Sequence, residues 1–188
     1  MDSLTPNPAA LIETERLCLA ELTESPSDIA FIRRLVNDPD WLRYIGDKNV
    51  HSDEDALRYL RNGPLAMYAK HGVGLWRVAL KAERPGSDAI PIGMCGLIKR
   101  EGLDDLDLGF AFLPDYRAQG YAAEASRAVL GWGRERGVAT VVAITTFDNT
   151  ASGALLSRLS FSRDGEVKLP NSEEALFKYR LDLAEWQP

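Results

Sequence analysis

The chain has 188 residues and is poor in cysteine and histidine. Its two cysteines, Cys18 and Cys95, fit no C-x-x-C pattern. Two separated cysteines give neither a disulfide framework nor a zinc ribbon, so they read as free thiols of a cytoplasmic protein. The only histidines are His51 and His71, with no H-E-x-x-H spacing. A structural zinc site is therefore not expected, nor any other metal. No stretch approaches the ~20 consecutive apolar residues of a membrane helix. Residues 1–10 lack the basic start and apolar core of a signal peptide. Pro6 and Pro8 mark them as a loose leader. An excess of positive charge is also missing, since the formal net charge is -6. Nucleic acid is therefore not an expected partner, because phosphate backbones call for a basic patch. Neither G-x-x-x-x-G-K-[ST] nor G-x-G-x-x-G occurs, which removes the common nucleotide fingerprints.

What remains is the composition of a globular domain, with 45% hydrophobic and 27% charged residues. The length suits one domain over residues 1–188, with no repeat and no dividing linker. Alternation around Leu17 and Leu19 predicts a first strand within Leu11 to Leu22. Ser27 to Asn37 reads as an amphipathic helix punctuated by Asp38-Pro39. Ser52 and Asp55 form a capping-box pattern that opens a helix to about Arg61, stopped by Asn62-Gly63-Pro64. Gly74 to Lys81 and Pro91 to Lys99 read as a hairpin across the Pro85-Gly86 turn.

Asp105 to Leu113 alternates cleanly, with Leu106, Leu108, Phe110 and Phe112 on one face. Ala122 to Arg136 predicts a helix ending at Gly137. Val141 to Thr146 predicts a buried strand. Strand, helix, strand in that order makes a βαβ crossover with parallel strands. A short helix near Thr150 to Leu159 and two last strands, near Ser162 to Leu169 and Ala175 to Leu183, complete an α/β domain around a mixed sheet.

The chemistry is concentrated in Leu108 to Glu124, where a strand runs into a loop and a helix begins. A helix N-terminus presents unpaired N–H groups and partial positive charge, which suits a phosphate. Gly120 lets backbone approach an anion, and Arg117 adds a permanent charge. By spacing alone, an ordinary glycine turn explains the same residues equally well.

Arg117-Ala118-Gln119-Gly120-Tyr121-Ala122 resembles the R/Q-x-x-G-x-G/A signature of the GNAT superfamily of N-acetyltransferases. Three further segments, in family order, resemble its ribosomal-protein N-terminal acetyltransferase branch, typified by RimJ and RimL. They are Thr14-Glu15-Arg16-Leu17, Ile92-Gly93-x-Cys95-Gly96, and Asp148-Asn149-Thr150-Ala151-Ser152 with Leu155-Leu156 and Ser160-Phe161. The resemblance covers about Leu11 to Leu183. Three departures stand out: Ala118 at a usual glycine, Ala20 at a usual arginine, and Ser160 at a usual glycine. The last of these is expected to alter its turn. Ala118 costs little if its φ is negative.

The resemblance implies a mostly antiparallel central sheet with flanking helices and a βαβ coenzyme-binding core. It implies acetyl-coenzyme A as cosubstrate, with an amine acceptor that is a protein N-terminus or a small molecule. The loop from Arg117 to Ala122 would hold the pyrophosphate. Backbone near Phe112 and Leu113 would pair with the pantetheine, and Asn149 and Ser152 would contact it. Monomer and homodimer both occur in such a branch. A non-catalytic acyl-coenzyme A sensor is the alternative of the same fold.

Amine attack on a thioester needs a base to free the lone pair and an oxyanion donor. Asp107, flanked by Leu106 and Leu108, is the leading base, and a surface carboxylate is the bland reading. His71 and a water chain are alternatives. Ser152 is the candidate acid for the leaving thiolate, against a plain first-turn serine. Asn149 also suits a helix cap. Trp41, Tyr44, Tyr68, His71 and Trp76 are candidate acceptor-pocket residues, each equally readable as packing.

Overall fold

The structure is a computed structural model describing residues 11–82, 89–170 and 172–187. The leader of residues 1–10 and the Pro85-Gly86 turn lie outside the described residues. Eight strands form one sheet in the order β1-β2-β3-β4-β5-β6-β8-β7. They are β1 (Ile12–Glu13), β2 (Leu17–Ala20), β3 (Leu75–Leu80), β4 (Ile90–Ile98), β5 (Leu106–Phe112), β6 (Thr140–Thr145), β7 (Ser162–Lys168) and β8 (Ala175–Asp182). Among the described strands, only β5 and β6 pair in parallel. The helices are α1 (Pro26–Val36), α2 (Pro39–Tyr44), α3 (Asp53–Leu60), α4 (Ala66–His71), α5 (Tyr121–Glu135) and α6 (Thr150–Arg158).

Two cores cover the two faces. Leu108 and Phe112 of β5 join Ala125, Val129 and Leu130 of α5 and Leu155 and Leu156 of α6 in one. Phe31, Ile32 and Leu35 of α1, Trp41 of α2 and Leu60 of α3 form the other, against Met94 and Leu113. The period-two pattern of β5 thus sends its even residues to α5 and its odd residues toward α1–α3.

Three predicted boundaries change. The first strand is a tight hairpin of β1 and β2, because Thr14 turns the chain. Its amide donates to Leu17 O at 3.0 Å, and the Leu17 amide donates to Thr14 Oγ1 at 2.9 Å. Asp38-Pro39 starts a helix as well as ending one. Asp38 caps α2 by accepting from the amides of Asp40 and Trp41, and Pro39 takes the first turn, where its missing N–H is no loss. Asn62-Gly63-Pro64 does not stop the chain's helical run. A π-helical turn over Arg61–Leu65 carries Pro64 and continues into α4. Its wider ring spares the bond that proline lacks. Gly72, at φ 65°, ends α4 instead.

Candidate active site

β5 and β6 meet only at Leu106↔Val141 and Asp107↔Val142. Beyond that point the ladder stops, although both strands continue. The consequence lies in the middle of β5. Gly109, Phe110 and Ala111 are all only half-buried, in a strand with neighbours on both sides. A slot therefore opens between two central strands.

Which peptide groups face the slot follows from the β4 ladder. The Leu113 amide donates to Ile92 O at 2.8 Å, and Leu113 O accepts from Tyr116. Odd residues of β5 therefore point their peptide groups toward β4, and even residues point theirs toward the slot. This corrects one expectation. Leu113 has both backbone groups engaged and is 1% exposed, so it offers no pairing to a ligand. Phe110 and Phe112 face the gap in its place. Phe112 O is taken by Arg117 Nε at 2.9 Å, which leaves the Phe112 N–H and both groups of Phe110.

Past β5, a 3-10 turn over Pro114–Tyr116 leads to Arg117 and then to α5. Gly120 is the N-cap of α5 at φ 84°, and no side chain caps this end. The first-turn amides of Tyr121, Ala122 and Ala123 have no intrahelical acceptor. The loop that leads to them is tied to the slot-facing carbonyl of Phe112 through Arg117 Nε. The Gln119 side chain is turned away, its Nε2 donating to Asp115 O at 2.7 Å.

Ala118 is at φ 56°, so the backbone there does need the left-handed region. The condition under which alanine would cost little is therefore not met, and its Cβ crowds the following carbonyl. Ala118→Gly is expected to raise stability by about 0.5 kcal/mol, read as a small rise in unfolding midpoint. Gly120→Ala is expected to lower it by about 1–2 kcal/mol. Ser160 holds φ 71°, and Phe161 N bonds Leu156 O at 3.0 Å. The helix-ending turn is thus kept without its glycine, contrary to the expected alteration.

The Arg117 side chain does not face the loop's open amides. Its Nη1 donates to Asp40 Oδ2 at 2.6 Å and its Nη2 to Asp38. The permanent charge expected of Arg117 in the loop is thus already paired. At the other end of α2, Arg43 Nη2 meets Asp148 Oδ2 at 2.8 Å. One short helix is therefore tied to the loop after β5 and to the loop after β6, so it spans the slot.

Asn149 caps α6, its Oδ1 accepting from Ser152 N at 3.1 Å. Its Nδ2 has no acceptor among the described residues. Ser152 is half-buried and lies one turn before Leu155 and Leu156, on the face that α6 turns to the α5 core.

Asp107 sits at the apex of the slot and is 1% exposed. Arg100 Nε donates to its Oδ2 at 2.7 Å, while Oδ1 is buried with no hydrogen-bond partner within bonding distance among the described residues. Burial pushes its pKa from 3.8 up to about 6, against the pull of the Arg100 charge and bond and the Ile144 amide. The bland reading of a wet surface carboxylate is wrong for this residue.

The acceptor-pocket candidates separate. Trp76 is 1% exposed and packs edge-on against Trp132 at 4.7 Å between centroids. The Tyr68 hydroxyl donates to Leu75 O, and Trp41 is buried in the α1–α3 core. These three are packing residues. Tyr44 is half-buried beneath Arg43. His71 is exposed at the end of α4, which leads into β3, two strands from β5. The sequence reading missed Arg16 as a site residue. Its side chain covers the Tyr121 ring at 4.3 Å and donates to Gln119 O at 3.1 Å. Its position in the Thr14–Leu17 motif was the available signal.

Among the described residues no group of three or more histidine, cysteine or carboxylate side chains is placed to hold a metal. No described helix is long and apolar enough to cross a membrane.

Comparison with known proteins places these features in a family. The sequence model described as acetyltransferase (GNAT) domain matches residues 16–162. The chain is 24% identical over 160 residues to the uncharacterized N-acetyltransferase YoaA of Bacillus subtilis, covering 84% of this chain and 86% of that protein. It also superposes on an acetyltransferase from Salmonella typhimurium that modifies the N-terminal serine of ribosomal protein L7/L12. There the TM-score is 0.71 at 16% identity, over 90% of this chain and 96% of that one. The microcin C7 self-immunity acetyltransferase MccE, solved with acetyl-CoA and AMP, gives a TM-score of 0.72 at 12% identity, over 90% and 93%.

Proposed function

The chain belongs to the GNAT family of N-acetyltransferases, and from that premise we propose that it transfers acetyl from acetyl-coenzyme A to a primary amine inside the β5/β6 slot. One observation carries the reading. The slot half-exposes the backbone of a central strand, directly beside an uncapped helix N-terminus. A thioester on an extended arm with a diphosphate at its far end needs both features at once.

In this reading the amides at the start of α5 take the diphosphate, within the Arg117–Ala122 loop. The free peptide groups of Phe110 and Phe112 pair with the pantetheine, and Asn149 Nδ2 adds a donor from the opposite wall. A slot-facing N–H of β5 polarises the thioester carbonyl and holds the oxyanion that forms. The even face of β5 is filled by α5 and α6, so the amine enters from the side of α2. It arrives as an ammonium and must lose a proton. Asp107 receives that proton at the apex, through an intervening water. The lone pair attacks the carbonyl, the tetrahedral adduct collapses, and the C–S bond breaks. Ser152 faces the leaving thiolate and supplies or relays its proton.

The acceptor is a primary amine, either a protein N-terminus or a small molecule. The first test is thermal unfolding with and without acetyl-coenzyme A. At ~100 times its dissociation constant, a ligand of the folded state adds about 2.7 kcal/mol. That should raise the midpoint by about 5–10 °C. No shift at millimolar coenzyme would remove the coenzyme site and the proposal with it. Thiol release over many turnovers with an amine panel then separates an enzyme from an acyl-coenzyme A sensor, which would release at most one equivalent.

A further inference from the structure

Two arginines stand at the α5 loop, and they have opposite duties. Arg117 is shared between Asp38 and Asp40, so its charge is already met by two carboxylates. Arg16 reaches the same loop from the β1–β2 turn. Its Nε donates to Glu124 Oε2 at 2.7 Å and its Nη1 to Gln119 O at 3.1 Å. Its guanidinium lies over the Tyr121 ring. Three contacts thus fix the plane of the group.

The remaining nitrogen, Nη2, has no acceptor among the described residues. It lies against Gly120, where an added Cβ would meet it at 3.3 Å. Nη2 therefore borders the same spot as the uncapped amides of Tyr121, Ala122 and Ala123. Glu124 does not compete for that spot, because its carboxylate is fully occupied. It accepts from the Thr14 hydroxyl at 2.6 Å and the Arg16 amide at 3.0 Å as well as from Arg16 Nε.

We propose that Arg16 is the cationic side chain of the diphosphate site, its Nη2 donating to a phosphate oxygen of acetyl-coenzyme A beside the α5 amides. Glu124 and Thr14 are positioning residues that aim it. The inference rests on reading the loop as the coenzyme site. It also gives the Thr14–Leu17 turn a chemical purpose: the turn delivers an arginine to a helix N-terminus that carries no cation of its own.

The test uses the full chain and its Arg16→Gln and Arg16→Lys variants. Calorimetry gives the affinities for coenzyme A and dephospho-coenzyme A at low and high salt, and S-acetyl-pantetheine serves as a donor without phosphate. Arg16→Gln is expected to weaken both coenzymes about tenfold or more, the scale of one charge-assisted bond. The salt dependence should become shallower, and Arg16→Lys should recover part of the loss. Turnover of S-acetyl-pantetheine should be unchanged. Unaltered coenzyme affinity would overturn the assignment. An equal loss with S-acetyl-pantetheine would also overturn it, by making Arg16 a purely structural brace. A loss confined to coenzyme A would move the contact to the 3′-phosphate and overturn the diphosphate assignment. Failure of the unsubstituted chain to bind either coenzyme would instead defeat the reading of the loop itself.

Discussion

Asp107→Asn should cut kcat/KM for amine acetylation by about 10²–10⁴-fold, the usual contribution of a positioned base. Coenzyme affinity should survive, because the Arg117–Ala122 loop and the slot-facing backbone of Phe110 and Phe112, the proposed coenzyme contacts, are separate from this side chain. The unsubstituted enzyme should show an acid limb in kcat/KM near pH 6, where the carboxyl ionises. The limb should vanish in the variant. Asp107 predicts a stability trend of opposite sense. Its folded pKa, about 6, lies above the ordinary 3.8, so between those values the folded chain binds the proton more tightly. Its contribution to stability is full below about pH 4 and is lost as the pH rises through about 6. Asparagine cannot ionise, so the variant's stability should be flatter across that window. A variant with unchanged kcat/KM, or one retaining the acid limb, would make Asp107 a plug that only fills the apex of the slot. The buried, unpaired Oδ1 argues against a mere plug, since an unused polar atom in that position is costly.

Much of the frame was legible because its signals are local. The alternation of Leu106 to Phe112 gave β5 its correct faces, and the capping box at Ser52 and Asp55 is present with both bonds. The βαβ segment predicted the single parallel pair. The departures arose where the determining partner is distant in sequence. Nothing near Arg117 says that Asp38 and Asp40, on a helix far upstream, will occupy it. Nothing near Arg16 says that its turn will dock on the start of α5. The slot is a further case. The splay of β5 from β6 depends on how two strands diverge after two residue pairs, and each strand taken alone reads as an ordinary buried one. The helix α2 was hidden because Asp-Pro ends one helix and begins the next with the same two residues. Ala118 and Ser160 show the limit of composition. Both occupy left-handed backbone that glycine would take more easily, so the surrounding contacts, not local preference, fix their conformation.

Asp28→Ala should be the most destabilising single change outside the site. Asp28 is 0% exposed, at the first turn of α1. It accepts from the Thr23 amide and the Thr23 hydroxyl, each at 2.7 Å, and from Arg77 Nη1 at 2.8 Å. Arg77 lies on β3 directly opposite Ala20 of β2. A guanidinium thus stands across the ladder from the position where this chain lacks the arginine its relatives often carry. Removing one partner of a buried ion pair typically costs about 3–5 kcal/mol, and here it also strips the acceptor from the Thr23 amide and hydroxyl. For a chain of this size that lowers the unfolding midpoint by about 10 °C. Asp28→Asn keeps one acceptor oxygen and should cost less. An alanine variant melting within about 2 °C of the parent would mean that the pair adds little to stability. The coenzyme readout separates this effect from the site. Asp28 ties α1 to β3, whereas the Arg117–Ala122 loop is held by Arg16 and by the carboxylates of Asp38 and Asp40. Added acetyl-coenzyme A should therefore raise the midpoint of the folded variant by the same increment as that of the parent, from a lower start.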